Sequence, residues 1–194
     1  MVDRPVCEQL GTHSCCANVV PVVVSVKNTV NLRNAIHPLH VIADALKRSG
    51  LGESVLIGNM AAAVHGARVL TDDFDYLVPP FPDLSRRIRV LAKILGADLF
   101  PPKRPYGTTM LFIEETGIQI DLLRRMDGVS SFRALRTRAH HEPELDDTIV
   151  ASLRDVIRSK RAAGRPKDLA ILPELEATLY EIEKNKKRRP VVRR

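Results

Sequence analysis

Asp73 and Asp75 stand two apart in the run Asp73-Phe-Asp-Tyr-Leu-Val78, which reads as part of a β-strand over Val69 to Val78. Side chains alternate across a strand, so both carboxylates share one face, with Cα atoms roughly 6–7 Å apart. Phe74 takes the face for burial, and Tyr76 is assigned to the carboxylate side. Two carboxylates held side by side repel unless a cation sits between them. A hard dication, Mg²⁺ or Mn²⁺, is the usual resolution, because it takes oxygen ligands and keeps waters that a phosphate can replace. A third carboxylate lies in Ile118-Gln-Ile-Asp-Leu-Leu123, where Ile118, Ile120 and Leu122 share one face and Gln119, Asp121 and Leu123 the other. A charge in a strand otherwise built for burial costs energy unless it is paired or binds metal. Asp121 is therefore the natural third ligand.

These residues need elements to hold them. Val55-Leu-Ile57 reads as a short strand buried on both faces, and Gly58 as the turn after it. Asn59 to His65 follows as a brief helix of small residues that Gly66 stops. A Gly turn coupled to an Asp-x-Asp strand points to chemistry on a nucleoside triphosphate. Helix is expected from Pro38, with Leu39, Ile42, Ala45 and Leu46 at helical spacing and Gly50 as its close. Leu84 to Leu95 is amphipathic, with Ile88, Leu91 and Leu95 inward and Arg86, Arg87 and Lys93 outward. Leu99 to Pro105 reads as a Pro-rich loop. Thr109 to Ile113, the turn at 114–117 and Ile118 to Leu123 make a hairpin. The last third is expected to be helical. Ile149, Leu153, Val156 and Ile157 form one stripe, and Pro166 opens a further helix that Pro173 interrupts.

The 194 residues carry a formal charge of +7, and Lys184, Lys186, Lys187, Arg188, Arg189, Arg193 and Arg194 account for all of it. A basic end of this kind reads as a solvated, disordered tail with some non-specific attraction to a polyanion such as RNA. The three cysteines, Cys7, Cys15 and Cys16, make no disulfide framework and fit free thiols in a reducing cytoplasm. His13 beside them lacks the paired spacing of a zinc site. Val19 to Val26 is apolar but too short to span a membrane, and no signal peptide is expected. The organisation expected is a leader at 1–35, a core at 36–125, a helical C-terminal part at 126–183 and the tail at 184–194.

Gly58-x-x-Ala61 or Ala62, His65-Gly66-x-Arg68-x-x-Thr71-x-Asp73-Phe-Asp75 and then Asp121 resemble the minimal nucleotidyltransferase fold. Within it, Ala151 to Lys160 and Gly164-Arg-Pro-Lys167-Asp168 are similar to the Lys-bearing helix and Arg-x-Lys-Asp turn of the bacterial AbiEii-type group, which includes toxins of toxin–antitoxin pairs. The resemblance spans about residues 38 to 180. It implies an α/β fold with a small mixed sheet flanked by helices. It further implies transfer of a nucleoside monophosphate from a triphosphate to an RNA, a tRNA 3′ end or a protein side chain, with an antitoxin as partner. Asp73, Asp75 and Asp121 would hold Mg²⁺ and be catalytic. Gly58, Asn59, Arg68, Thr71, Lys160 and Lys167 would bind nucleotide. Gly58-Asn59 departs from the Gly-Gly or Gly-Ser of the pattern, which favours the alternative of an inactive module that binds nucleotide or RNA.

Blander roles compete at each position. Asp73 and Asp75 could cap a turn or pair with Arg68, and Asp121 could partner a buried Arg. His65 reads as a packed structural His, Arg68 and Thr71 as fixing the turn into the Asp strand, and Asp72 as a surface carboxylate. Lys160 could snorkel, Lys167 and Asp168 could make a local ion pair, and His140-His141 reads as a solvated loop.

Overall fold

The computed structural model describes residues 32–103 and 107–188. The cysteines, His13, the apolar run at 19–26 and the last six residues of the basic tail lie outside these. Seven strands form one mixed sheet in the order β3-β4-β5-β2-β1-β7-β6. In chain order the elements are α1 (Leu32–Arg48), β1 (Val55–Leu56), α2 (Gly58–Val64), β2 (Asp73–Leu77), α3 (Leu84–Leu95), β3 (Asp98–Phe100), β4 (Thr109–Ile113) and β5 (Ile118–Leu123). There follow α4 (Phe132–Arg136), β6 (His140–Glu142), a 3₁₀ turn (Pro143–Leu145), β7 (Thr148–Val150), α5 (Leu153–Ala163) and α6 (Pro166–Arg188). Strands β2 and β5 run parallel, as do β1 and β7; the other neighbours are antiparallel.

The centre of the sheet holds fully buried side chains. Leu56, Tyr76, Leu77, Leu111, Ile120, Leu122 and Val150 are all essentially fully buried, each side chain worth about 1.5–3 kcal/mol against exposure. Helix α1 packs on α3, while α2 packs on α5 and α5 on α6. Helix α3 keeps its expected bounds, ended by Gly96 in the left-handed conformation (φ +62°), which a residue without Cβ adopts freely.

Several expectations need correction. Helix α1 begins at Leu32 and passes through Pro38, so 32–35 belong to it and not to a leader. Strand β2 starts at Asp73, four residues later than expected. Tyr76 is fully buried on the Phe74 face, because the pleat of period two puts residues 74 and 76 together. Arg87 does not point to solvent: it reaches back to Asp83 and to the Gly50 carbonyl and lies over the Phe81 ring. Strand β3 replaces part of the Pro-rich loop, and β6 and β7 stand where loop and helix were expected. Ile149 thus sits in β7 beside Val55 of β1, and α5 starts only after Ser152, whose Oγ accepts from the Asp155 N–H as an N-cap. Helix α6 runs unbroken through Pro173. Leu169, whose carbonyl loses its i+4 partner there, is exposed, as is Pro173, so water can take that carbonyl. It also carries Lys184 to Arg188, where a disordered tail was expected.

Candidate active site

Parallel pairing of β2 with β5 sets Asp73 opposite Gln119 and Asp75 opposite Asp121. All four polar side chains share one face of the sheet. Phe74, Tyr76, Ile120 and Leu122 on the reverse face are buried in the core, which fixes the register against a one-residue slip. The pairing the sequence could not supply, β2 beside β5, is what brings the third carboxylate to the other two.

Strain in charge marks the spot. Burial, then the neighbouring Asp121 and Asp73, push Asp75 up to about 6, against the pull of Lys160 and Arg165. Asp121 is also raised, first by burial and further by Asp73, although Gln119 donates from Nε2 to both of its oxygens at 3.2 Å and opposes the shift. No buried Arg meets Asp121, and no ion pair joins Arg68 to Asp73 or Asp75 among the described residues.

Gly58 closes the site from the side of α2. Its φ is +68°, and a Cβ there would lie 2.2 Å from Asp75 Oδ2. Only glycine lets the β1–α2 turn pass this close to the carboxylate strand. Asn59, next along, donates from Nδ2 to the Leu70 carbonyl at 3.2 Å, and its Oδ1 is buried without a partner among the described residues. Asn59 therefore ties α2 to the segment leading into β2. Thr71 does similar work, its hydroxyl donating to the Asp73 carbonyl at 3.3 Å.

A cleft of about 310 Å³ opens over these residues. It is lined by Gly58, Asn59, Thr71, Asp73, Asp75 and Asp121 from the sheet side, and by Lys160, Arg165, Lys167 and Asp168 from the α5–α6 corner. Of the expected site residues only Arg68 falls outside the lining; it is exposed, and its backbone N–H donates to Glu174. Lys160 does not snorkel. Its Nζ pairs with Asp168 at 2.8 Å, and Arg165 binds the other Asp168 oxygen, so the local Lys167–Asp168 pair is replaced by this one. Ser159, Thr108, Arg125 and Asp127 also line the cleft. The sequence offered no signal for them beyond closeness to Lys160 and Asp121. His65 is the packed residue expected: Nε2 binds the Ala151 carbonyl at 2.8 Å, and burial lowers its pKa.

Three oxygen-donor carboxylates on one face are the donor chemistry of a hard divalent cation. Among the described residues, however, no three Asp, Glu, His or Cys side chains are drawn together as a preformed metal-holding group.

Two solved structures share this arrangement of elements. One is the antibiotic-resistance factor ANT(2″)-Ia in solution, 13% identical, with 80% of this chain and 94% of that chain covered at a TM-score of 0.52. The other is ANT(2″)-Ia crystallised with adenylyl-2″-tobramycin, 16% identical over 75% of this chain and 89% of that one, with a TM-score of 0.53. The chain shares the fold of these two structures. The mixed sheet with flanking helices agrees with the sequence expectation. No protein-family model and no curated protein sequence matches the chain. Among the described residues no helix is long and apolar enough to cross a membrane.

Proposed function

We propose that this chain transfers a nucleoside monophosphate from a nucleoside triphosphate to a hydroxyl, releasing pyrophosphate. One observation carries the reading: Asp73, Asp75 and Asp121 share one face of two paired strands and line a cleft with Lys160, Arg165 and Lys167. A carboxylate face alone would suit any cation; the cations beside it suit phosphate. Asp73 and Asp75, with Asp121, would hold Mg²⁺ or Mn²⁺, which supplies neutralisation of the phosphate charge when bound. Lys160 and Lys167 contact phosphate oxygens. The acceptor oxygen forms a bond to the α-phosphorus as the α–β bridging P–O bond breaks, and the bridging oxygen leaves with pyrophosphate. Asp121 takes the proton of the attacking hydroxyl.

The acceptor we favour is RNA, a tRNA 3′ end included, because the chain's excess positive charge is gathered at one end. A protein side chain is the second acceptor class that the AbiEii-type resemblance supports, and with it a cytoplasmic toxin role and an antitoxin partner. The adenylyl-tobramycin bound by one structural neighbour adds an aminoglycoside hydroxyl to the acceptors worth testing. A non-catalytic nucleotide- or RNA-binding module is favoured by Asn59, whose amide is spent on Leu70 where the pattern has a small residue.

Calorimetric titration of each nucleoside triphosphate with Mg²⁺, then with EDTA, against wild type and Asp73→Asn separates these readings. Magnesium-dependent binding that the variant loses supports the enzyme. No binding by a folded wild type overturns it, and RNA binding without triphosphate binding makes the module the better description.

A further inference from the structure

Asp168 is only 1% exposed, yet its carboxylate belongs to the wall of the cleft. It sits in the first turn of α6, and the Gly164 turn folds that helix back on α5 so that Asp168 meets Lys160 in α5's last turn. Lys160 Nζ lies 2.8 Å from one oxygen, with Lys160 itself only 13% exposed; Arg165 holds the other oxygen. The cluster thus counts two cations against one anion, and its surplus positive charge faces a wall of carboxylates. Both cations already act electrostatically on Asp75. A lysine ends in a compact charge on a flexible four-carbon stem, so a Lys160 without Asp168 has one obvious new partner, Asp75. That pair would occupy the oxygens a cation needs.

We propose that Asp168 is a positioning residue that holds Lys160 and Arg165 off the carboxylates of β2, leaving Asp75 open to a divalent cation and the two side chains turned to the triphosphate. The proposal rests on the nucleotidyl-transfer reading of the cleft. A second buried acid, Asp155, shows the contrast: Arg138 and Arg158 clamp it, with Ser152, and none of the four lines the cleft. That cluster fastens α5. The Asp168 cluster restrains groups that face the chemistry.

The test is Mn²⁺ binding to the full chain, read from the signal of free Mn²⁺, together with a crystal structure of Asp168→Asn. The substitution keeps size and removes charge. Mn²⁺ should bind about tenfold more weakly to Asp168→Asn, and Lys160 should turn to Asp75 in its structure. The triple variant Lys160→Met, Arg165→Gln, Asp168→Asn has no charge left to misplace and should bind Mn²⁺ at least as tightly as wild type does; it also answers the question if the single variant does not fold. An unchanged affinity in Asp168→Asn, a triple variant as weak as the single, or a structure with Lys160 and Arg165 still at residue 168 overturns the proposal. If wild type binds no Mn²⁺, the metal reading of the cleft falls on its own. The variant structure then decides alone: Lys160 on Asp75 sustains the positioning role, and Lys160 in place ends it.

Discussion

Asp75 sits where the fold resists its ionisation. Burial, then the neighbouring Asp121 and Asp73, push its pKa up to about 6. A carboxyl raised in this way destabilises the fold: the unfavourable contribution sets in above the unfolded value of 3.8, is complete above about pH 6, and disappears as pH falls back through that range. Asp75→Asn should therefore abolish nucleotide transfer while raising the melting temperature at pH 7.5 by a few degrees, equivalent to about 1 kcal/mol. A melting temperature that drops would mean that Asp75 is a structural acid. That Asp73 and Asp75 share one face, and Asp121 one with Gln119, was legible one strand at a time from alternation. Asp168 was not, because its partner Lys160 lies across a turn and an ion pair leaves no period in the sequence.

The elements differ in how far they announce themselves. Helix α3 and the β4–β5 hairpin carry their full instructions locally: an amphipathic stripe ending at Gly96, and alternation around Gly117 (φ +68°). Strands β3, β6 and β7 are three residues each and owe their existence to neighbours, β7 above all to the distant β1. No window of sequence holds that information. The β1–α2 turn is the element on which the site depends most. Gly58→Ala places a side chain at positive φ and against Asp75, and should cost at least about 2 kcal/mol and lose triphosphate binding; urea unfolding and calorimetry check both. The start of α5 is set by a different device. Asp155 is desolvated, which raises its pKa, but bonds from Arg138 and Ser152 with the charge of Arg158 outweigh this and leave it lowered below 3.8. A lowered folded-state pKa stabilises the fold above the unfolded value and loses that stabilisation as pH falls through the folded one. Wild type should accordingly weaken more between about pH 5 and pH 3 than Asp155→Asn, which starts less stable, and thermal melts across that range would show the two curves converge.

At the scale of the molecule, positive charge is gathered at two places along the chain. The cleft has its own cations at the α5–α6 corner, and the excess of +7 lies at the far end of the chain. Deleting residues 189–194 removes Arg189, Arg193 and Arg194 while leaving α6 its full length. With a single-stranded RNA acceptor, the slope of log affinity against log salt should become shallower by about 2, at roughly 0.7 per lost phosphate contact. Transfer to a small acceptor should not change. If the deletion abolishes partner binding and leaves transfer intact, the tail is a docking site for protein. Helix α6 turns these outcomes into a measurement of size. It has Lys167 and Asp168 at one end and Lys186 to Arg188 at the other, and a rise of 1.5 Å per residue separates the two by about 30 Å. The helix is in effect a ruler. An oligonucleotide shorter than it cannot bridge Lys167 and the basic residues Lys186 to Arg188, so the chain length at which Lys186→Gln first weakens an acceptor held in the cleft reports the path it takes across the surface.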